Sequence, residues 1–273
     1  MSGLIFDLLF DLGIRHSAAI SLSDCHIIRP YKLEKAGLDT SSELFAVMMA
    51  VPYLTPSNER NISAYAAPRD YHFYFKSVFE EIIPKLKSEF PQYVFAGFAD
   101  DSPIIEADAA AKAGLGIIGD NGLLITPEYS SFVFLGEIIT DMPMDTASQE
   151  IAYCEHCGAC RSACPTKDRG MCLSELTQKK GELSDEEKEC ISMCGSAWGC
   201  DICQNVCPHT KAALNNRTIY TDIPFFKECT VPLLSENALR SMTNEEFALR
   251  AYSWRKRATI ERNIKLIEAQ KNR

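Results

Sequence analysis

Two runs of cysteine constrain this chain more than anything else in it. CEHCGACRSACPTK sets Cys154, Cys157, Cys160 and Cys164 at C-x2-C-x2-C-x3-C spacing and closes on Pro165. GCDICQNVCPHT sets Cys200, Cys203 and Cys207 at C-x2-C-x3-C spacing and closes on Pro208. Of the twelve cysteines, all but Cys25 lie between Cys154 and Cys229. A stretch so rich in thiols, Gly, Pro and short polar turns has no periodic apolar pattern and must be organised by something other than a core. Disulfides are not the expected organiser. LIFDLLFDLG near the N-terminus lacks a basic start and carries Asp7 and Asp11, so it reads as an amphipathic helix rather than a leader. The expected location is cytoplasmic, where thiols stay reduced and such a pattern binds metal.

The first run matches the bacterial iron–sulfur pattern at every position. Three closely spaced cysteines wrap one face of a 4Fe-4S cube, and the fourth is directed to the other cluster of a pair. The second run sends one cysteine back. Cluster 1 then takes Cys154, Cys157, Cys160 and Cys207; cluster 2 takes Cys164, Cys200, Cys203 and one more. Cys172, Cys190 and Cys194 all qualify for that place by spacing. Zinc also binds C-x2-C pairs, but the double C-x3-C-P ending favours iron–sulfur. His156 and His209 adjoin the ligands and read as neighbours rather than donors. Two cubes capped on all four irons carry single electrons and do no substrate chemistry of their own, so something else must use those electrons.

The rest of the chain supplies an ordinary core. With 273 residues, 46% hydrophobic and 24% charged, it has the composition of a soluble globular protein, and no apolar run long enough to span a membrane. A net charge of −9 argues against nucleic-acid binding by a broadly basic surface. The exception is the stretch from Arg250 to Arg273, where eight Lys/Arg meet two Glu. It reads first as a solvated helix face and second as a basic tail able to touch a phosphate backbone. ELFAVMMAVPYL and YVFAGFA read as strands. YHFYFKSVFEEIIPKLKSEF places Phe75, Val78, Phe79, Ile82 and Ile83 at helical spacing. EADAAAKAGLG reads as a helix stopped by glycine, and GLLITPEYSSFVFLGEIIT as two strands around a turn at Pro127 to Ser131. Ser184 with Glu187, and Thr243 with Glu246, form capping boxes. Ile260, Ile264 and Ile267 mark one face of a last helix. The expected class is α+β, divided into an α/β domain over 1–149, a ferredoxin-like double-cluster module over 150–215 and a short helical C-terminus over 216–273.

Beyond the cysteines, YAAPRDYH (Tyr65 to His72), ADDSPIIE (Ala99 to Glu106), AGLGIIGDNGLLI (Ala113 to Ile125) and SSFVFLGEIITDMPM (Ser130 to Met144) follow one another in order. Together with WGCDICQNVCP they resemble the epoxyqueuosine reductases, cobalamin-dependent iron–sulfur enzymes of tRNA modification, over roughly residues 45–265. The resemblance implies a nitroreductase-like α/β domain binding cobalamin beside the first cluster, with electrons arriving from an external flavodoxin or ferredoxin. The reduced cobalt then removes the epoxide oxygen of epoxyqueuosine.

The family's proton donor is the aspartate three residues before the proline of D-x-x-P-x-x-E, which is Asp100 here. Asp101 follows it, and neighbours leaving a strand point to opposite sides. An acid working near neutral pH calls for a raised pKa. The resemblance assigns Ser63, Leu124 and Leu135 to corrinoid contacts through backbone groups. CLSELTQKKG resembles the family's run after its lone cluster cysteine. That likeness selects Cys172 as the eighth ligand and sets Ser174 and Lys180 near the cofactor. Departures are also visible. Asp120 stands where the family usually has lysine, residues 20–45 do not match the Gly-, Met- and Arg-rich upstream stretch, and the family's C-terminal helical repeats have no counterpart. These bear on the substrate more than on the redox groups, and leave room for a compact member or a paralogue. Two other readings are an electron-transfer protein without a catalytic cofactor and a corrinoid-reducing activator.

Overall fold

The continuous apolar run FAVMMAVP can satisfy its backbone only deep in a sheet, and that is where it lies. In the structure, a computed structural model describing residues 3–167 and 170–271, the chain separates into two compact units. The first comprises 1–52, 71–157 and 213–219. Its strands are β1 (His16–Ser21), β2 (Phe45–Pro52), β3 (Phe95–Phe98), β4 (Ile117–Ile118), β5 (Leu124–Ile125) and β6 (Val133–Thr140). Four form an antiparallel sheet in the order β1-β2-β6-β3, with Met48 opposite Glu137 and Gly97 opposite Ile138. β4 and β5 pair separately. The two strands expected around Pro127 to Ser131 therefore exist but join different sheets. The turn itself is closed by Thr126 and Ser130.

Each face of the sheet carries a helix. Along β6, Gly136 and Ile138 point one way, Leu135, Glu137 and Ile139 the other. On the first face the helix Tyr71–Glu89 lies close because Phe75 sits where a Cβ on Gly136 would be, and Phe79 where one on Gly97 would be. On the second face the helix Glu106–Lys112 buries Ala109, Ala110 and Ala111 in a cluster with Met48, Leu124 and Ile139. Small side chains let this helix approach the strands closely, which brings its first residue, Glu106, toward the face that carries Glu137.

The second unit comprises 53–70, 158–212 and 220–273. Segment 53–70 belongs to it through specific polar bonds. Ile62 bridges to Trp198, the Ser63 amide donates to the Trp198 carbonyl at 2.7 Å, and Asn61 exchanges two side-chain bonds with Leu234 at 2.6 and 2.7 Å. Trp198 is fully buried and donates its indole N–H to the Tyr65 hydroxyl at 2.7 Å. Both capping boxes form, starting the helices Asp185–Cys194 and Asn244–Ala248. On the helix Lys256–Lys271, Ile260, Ile264 and Ile267 are buried as their spacing requires.

The basic stretch is less free than its charge suggests. Arg250 donates to the carbonyls of Ala67 and Cys229, Arg257 to those of Leu239, Met242 and Thr243, and Arg262 to those of Lys179 and Gly181. Lys265 pairs with Glu261 at 2.9 Å. The end of this stretch, Asn272 and Arg273, lies outside the described residues.

Candidate functional site

Strand β3 ends in a turn that presents two adjacent carboxylates in opposite directions. Asp101 pairs with Lys32, which also donates to the Asp101 carbonyl at 2.9 Å. Asp100 takes a positive φ of 65°, uncommon for any residue but glycine, and its Oδ2 lies 3.6 Å from His72 Nε2. The Tyr71 hydroxyl also reaches this carboxylate. Tyr71 is itself stacked between His72 and Phe134, with both ring centroids 4.3 Å away.

The expectation of a raised pKa at Asp100 is not what its surroundings produce. Hydrogen bonding from His72 leads, burial opposes it, and the net effect holds the carboxyl below its ordinary range. The acids pushed upward stand just behind it. Burial, the largest cause, brings Glu106 to about 7, and it pushes Glu137 well above the usual carboxylate range with Glu106 adding repulsion. Sequence reasoning passed over both, although a glutamate inside the apolar strand VFLGEIIT was a visible signal. His72 closes the motif YAAPRDYH.

The cysteines are all free thiols. Cys154 and Cys157 fall in the first unit; Cys160, Cys164, Cys172, Cys200, Cys203 and Cys207 fall in the second. Cys200 lies within electrostatic reach of both Cys203 and Cys172, and burial, chief among its causes, pushes its thiol up to about 12. Cys172 is exposed at the start of the helix Leu173–Gln178. Cys190 is buried in the apolar core of the second unit and Cys194 packs against that core. His156 Nδ1 lies 2.6 Å from Asp120 Oδ1 beside Cys154, so the aspartate that departs from the family pattern has a histidine partner.

The residues assigned to a corrinoid are placed as follows. Leu124 and Leu135 share one apolar cluster of the first unit. Ser63, in the second unit, is buried, its hydroxyl bonded to Asp201 and its carbonyl accepting the Ala66 amide at 3.0 Å. Ser174 lies inside the helix Leu173–Gln178, its Oγ accepting from the Gln178 side-chain amide at 3.4 Å, and Lys180 is exposed.

The chain thus joins an acidic turn on an antiparallel sheet with tandem cysteine runs, and its relatives are oxidoreductases. The comparisons narrow that class. The chain is 34% identical over 231 residues to the epoxyqueuosine reductase of Cyclobacterium marinum, covering 77% of this chain and 70% of that one. It is 33% identical over 208 residues to that of Lactococcus garvieae, covering 71% and 57%. The crystal structure of an epoxyqueuosine reductase with an epoxyqueuosine-modified tRNA-Tyr stem loop superposes with a TM-score of 0.76 at 24% identity, over 97% of this chain and 80% of that one. The chain spans about half the length of several curated relatives it matches. No family model matches it. The chain belongs to the epoxyqueuosine reductase family.

Proposed function

We propose that this chain is a cobalamin- and iron–sulfur-dependent reductase that removes the epoxide oxygen of epoxyqueuosine in tRNA. The observation that carries the reading is Asp100. It stands at the family's D-x-x-P-x-x-E position, exposed, with His72 and Tyr71 on its carboxylate. Removing an epoxide oxygen as water consumes two electrons and two protons. Asp100 and His72 lie at ion-pair distance, Oδ2 to Nε2 3.6 Å, and together are the candidate donors of those protons.

The donor set fits the metal groups. Seven thiols at iron–sulfur spacing and Cys172, chosen by the family likeness, none in a disulfide, would hold two 4Fe-4S clusters: Cys154, Cys157, Cys160 and Cys207, then Cys164, Cys172, Cys200 and Cys203. Supporting Cys172 are its nearness to Cys200 and the burial of Cys190 in an apolar core. The likeness assigns Leu124 and Leu135 to corrinoid contact through their backbone groups, while their side chains pack in the apolar cluster of the first unit. When bound, the clusters supply single electrons and the corrinoid a reducing cobalt centre, with a flavodoxin- or ferredoxin-type donor outside. The first unit is then the nitroreductase-like part and the cysteine segment the ferredoxin-like one. Among the described residues no helix is long and apolar enough to cross a membrane.

The test is anaerobic. Protein reconstituted with iron and sulfide is incubated with cobalamin and gel-filtered, then given an epoxyqueuosine-bearing tRNA stem loop and a chemical reductant. Retained base-off corrinoid and formation of queuosine support the reading. Clusters without retained corrinoid and without product turn the chain into an electron-transfer protein.

A further inference from the structure

The second cysteine run is tied to segment 61–65 of the same unit. Ile62 bridges to Trp198 in parallel. The Ala197 amide donates to the Asn61 carbonyl at 2.6 Å and the Ser63 amide to the Trp198 carbonyl at 2.7 Å. The two stretches approach so closely that a Cβ on Gly199 would lie 2.5 Å from that of Ser63. Ser63 is the N-cap of the short 3-10 turn Ala64–Ala66, yet its hydroxyl makes no bond to that turn. It donates instead to Asp201 Oδ1. The Ala64 amide, the first N–H of the turn and without an acceptor inside it, donates to Asp201 Oδ2 at 2.7 Å. One carboxylate from the cysteine run supplies the cap that Ser63 withholds.

These ties rest on two different supports. Ile62, Ala66, Ala67, Ala197 and Trp198 belong to the apolar core of the unit, so the bonds at the Asn61 carbonyl and the Ser63 amide are backed by packing. Up to Gly199 the run is also anchored by Thr177 Oγ1, which accepts the Gly199 amide at 2.9 Å. Beyond it stand Cys200, Asp201 and Cys203, so the capping carboxylate sits between two ligands of the proposed cluster 2. From here the run forms a single turn, Ile202–Asn205, and meets segment 53–70 through side chains: Asp201 to Ser63 and Ala64, and Gln204 to Tyr53. The Gln204 side-chain amide also donates to Asp201 Oδ1 at 3.2 Å. A single turn has little stability of its own, so what binds its thiols bears directly on where Asp201 stands.

We propose that Asp201 is a positioning residue that couples cluster 2 to segment 61–65. Ligating Cys200 and Cys203 steadies the cap on Ala64–Ala66, and by linkage the cap steadies the ligands. The coupling rests on the cluster assignment above; the cap itself does not. Two neighbouring amides tell the supports apart. The Ser63 N–H is held by a backbone carbonyl of the core, and the Ala64 N–H by a side chain lying between two ligands. Ser63 is also the residue that the family likeness sets against a corrinoid, so an order of assembly follows: cluster 2 first, the corrinoid second.

The experiment is hydrogen exchange read at single residues, on the reconstituted chain and on the same chain stripped of iron anaerobically. Removing the iron should speed the Ala64 amide about tenfold or more and leave the Ser63 amide nearly unchanged. Asp201→Ala with iron bound should show the same pattern, and should lose iron to a chelator about tenfold faster than the parent. Asp201→Asn should restore both, because its Oδ1 can accept the Ala64 N–H while its Nδ2 donates to Ser63 Oγ. Cys154→Ala, which breaks cluster 1, should leave the Ala64 amide slow. An Ala64 amide equally slow with and without iron overturns the proposal. Equal release of Ser63 and Ala64 overturns it too, since the whole segment has then loosened, as does parental Ala64 exchange in Asp201→Ala. If Asp201→Ala takes up no iron, the parent with and without iron decides. About four irons in the reconstituted parent, with Ala64 still released in Asp201→Ala, fails the assignment of cluster 2 and not the cap.

Discussion

Asn263 offers the sharpest energetic prediction, because one buried amide ties together the two arms that carry Cys172 and Cys200. Its side chain is fully buried, and Nδ2 donates to the Thr177 carbonyl at 2.7 Å and the Ala197 carbonyl at 2.9 Å. Thr177 lies in the last turn of the helix Leu173–Gln178, where no intrahelical donor follows, and Ala197 lies in a loop, so neither carbonyl has a helical substitute. Asn263→Ala removes both bonds and leaves two buried acceptors unsatisfied, each costing about 1–3 kcal/mol. Arg262 loses its two bonds to Oδ1 but keeps those to Lys179 and Gly181, so it adds little. The expected loss is about 3 kcal/mol, or an apparent midpoint roughly 6–12 °C lower by circular dichroism. Iron in cluster 2 should be lost at lower temperature than the fold itself. A shift under about 3 °C would refute the reasoning, since it would mean that water reaches both carbonyls.

The other predictions concern the site. Glu106 holds its proton to about pH 7 in the fold against an ordinary 4.5, so between these values the folded state binds more protons than the unfolded one. Stability should therefore fall as pH rises through that window, and go on falling above it while the buried Glu137, also raised, keeps its proton in the fold. Urea midpoints should show this slope, and Glu106→Gln should flatten it. Asp100→Ala should keep clusters and corrinoid yet lose at least about a hundredfold in turnover, as expected for a positioned acid; iron content and a single-turnover assay check both halves. Cys172→Ala should halve the iron, whereas Cys190→Ala should keep about eight irons per chain, the content of two 4Fe-4S clusters.

Local pattern carried much of this fold. The two capping boxes, the helix Tyr71–Glu89 and the buried isoleucines of the last helix follow from spacing that a single segment displays. What escaped depends on residues far apart in sequence. Segment 53–70 joins the second unit through Asn61 to Leu234 and Ser63 to Asp201, bonds between residues more than a hundred positions apart. The two strands around Pro127 look alike in sequence, but β5 pairs backward with β4 while β6 inserts between β2 and β3. At the site, Asp100 was legible through a motif. Its protonation environment was not, because His72, Glu106 and Glu137 reach the turn from a helix on one face, a helix on the other and the central strand. The pairing of the basic C-terminal arginines with buried carbonyls was equally invisible to a count of charges.

The central claim is that electrons from two clusters meet a proton from Asp100 at a bound corrinoid to deoxygenate the tRNA nucleoside. Its most direct test is a single-turnover reaction of the anaerobic, reconstituted, cobalamin-loaded chain with an epoxyqueuosine-modified stem loop, followed by nucleoside mass spectrometry. The account predicts queuosine formed in proportion to bound corrinoid, and none from Asp100→Ala carrying the same cofactors. Corrinoid that is bound and reduced while the epoxide remains intact in the parent chain would contradict it.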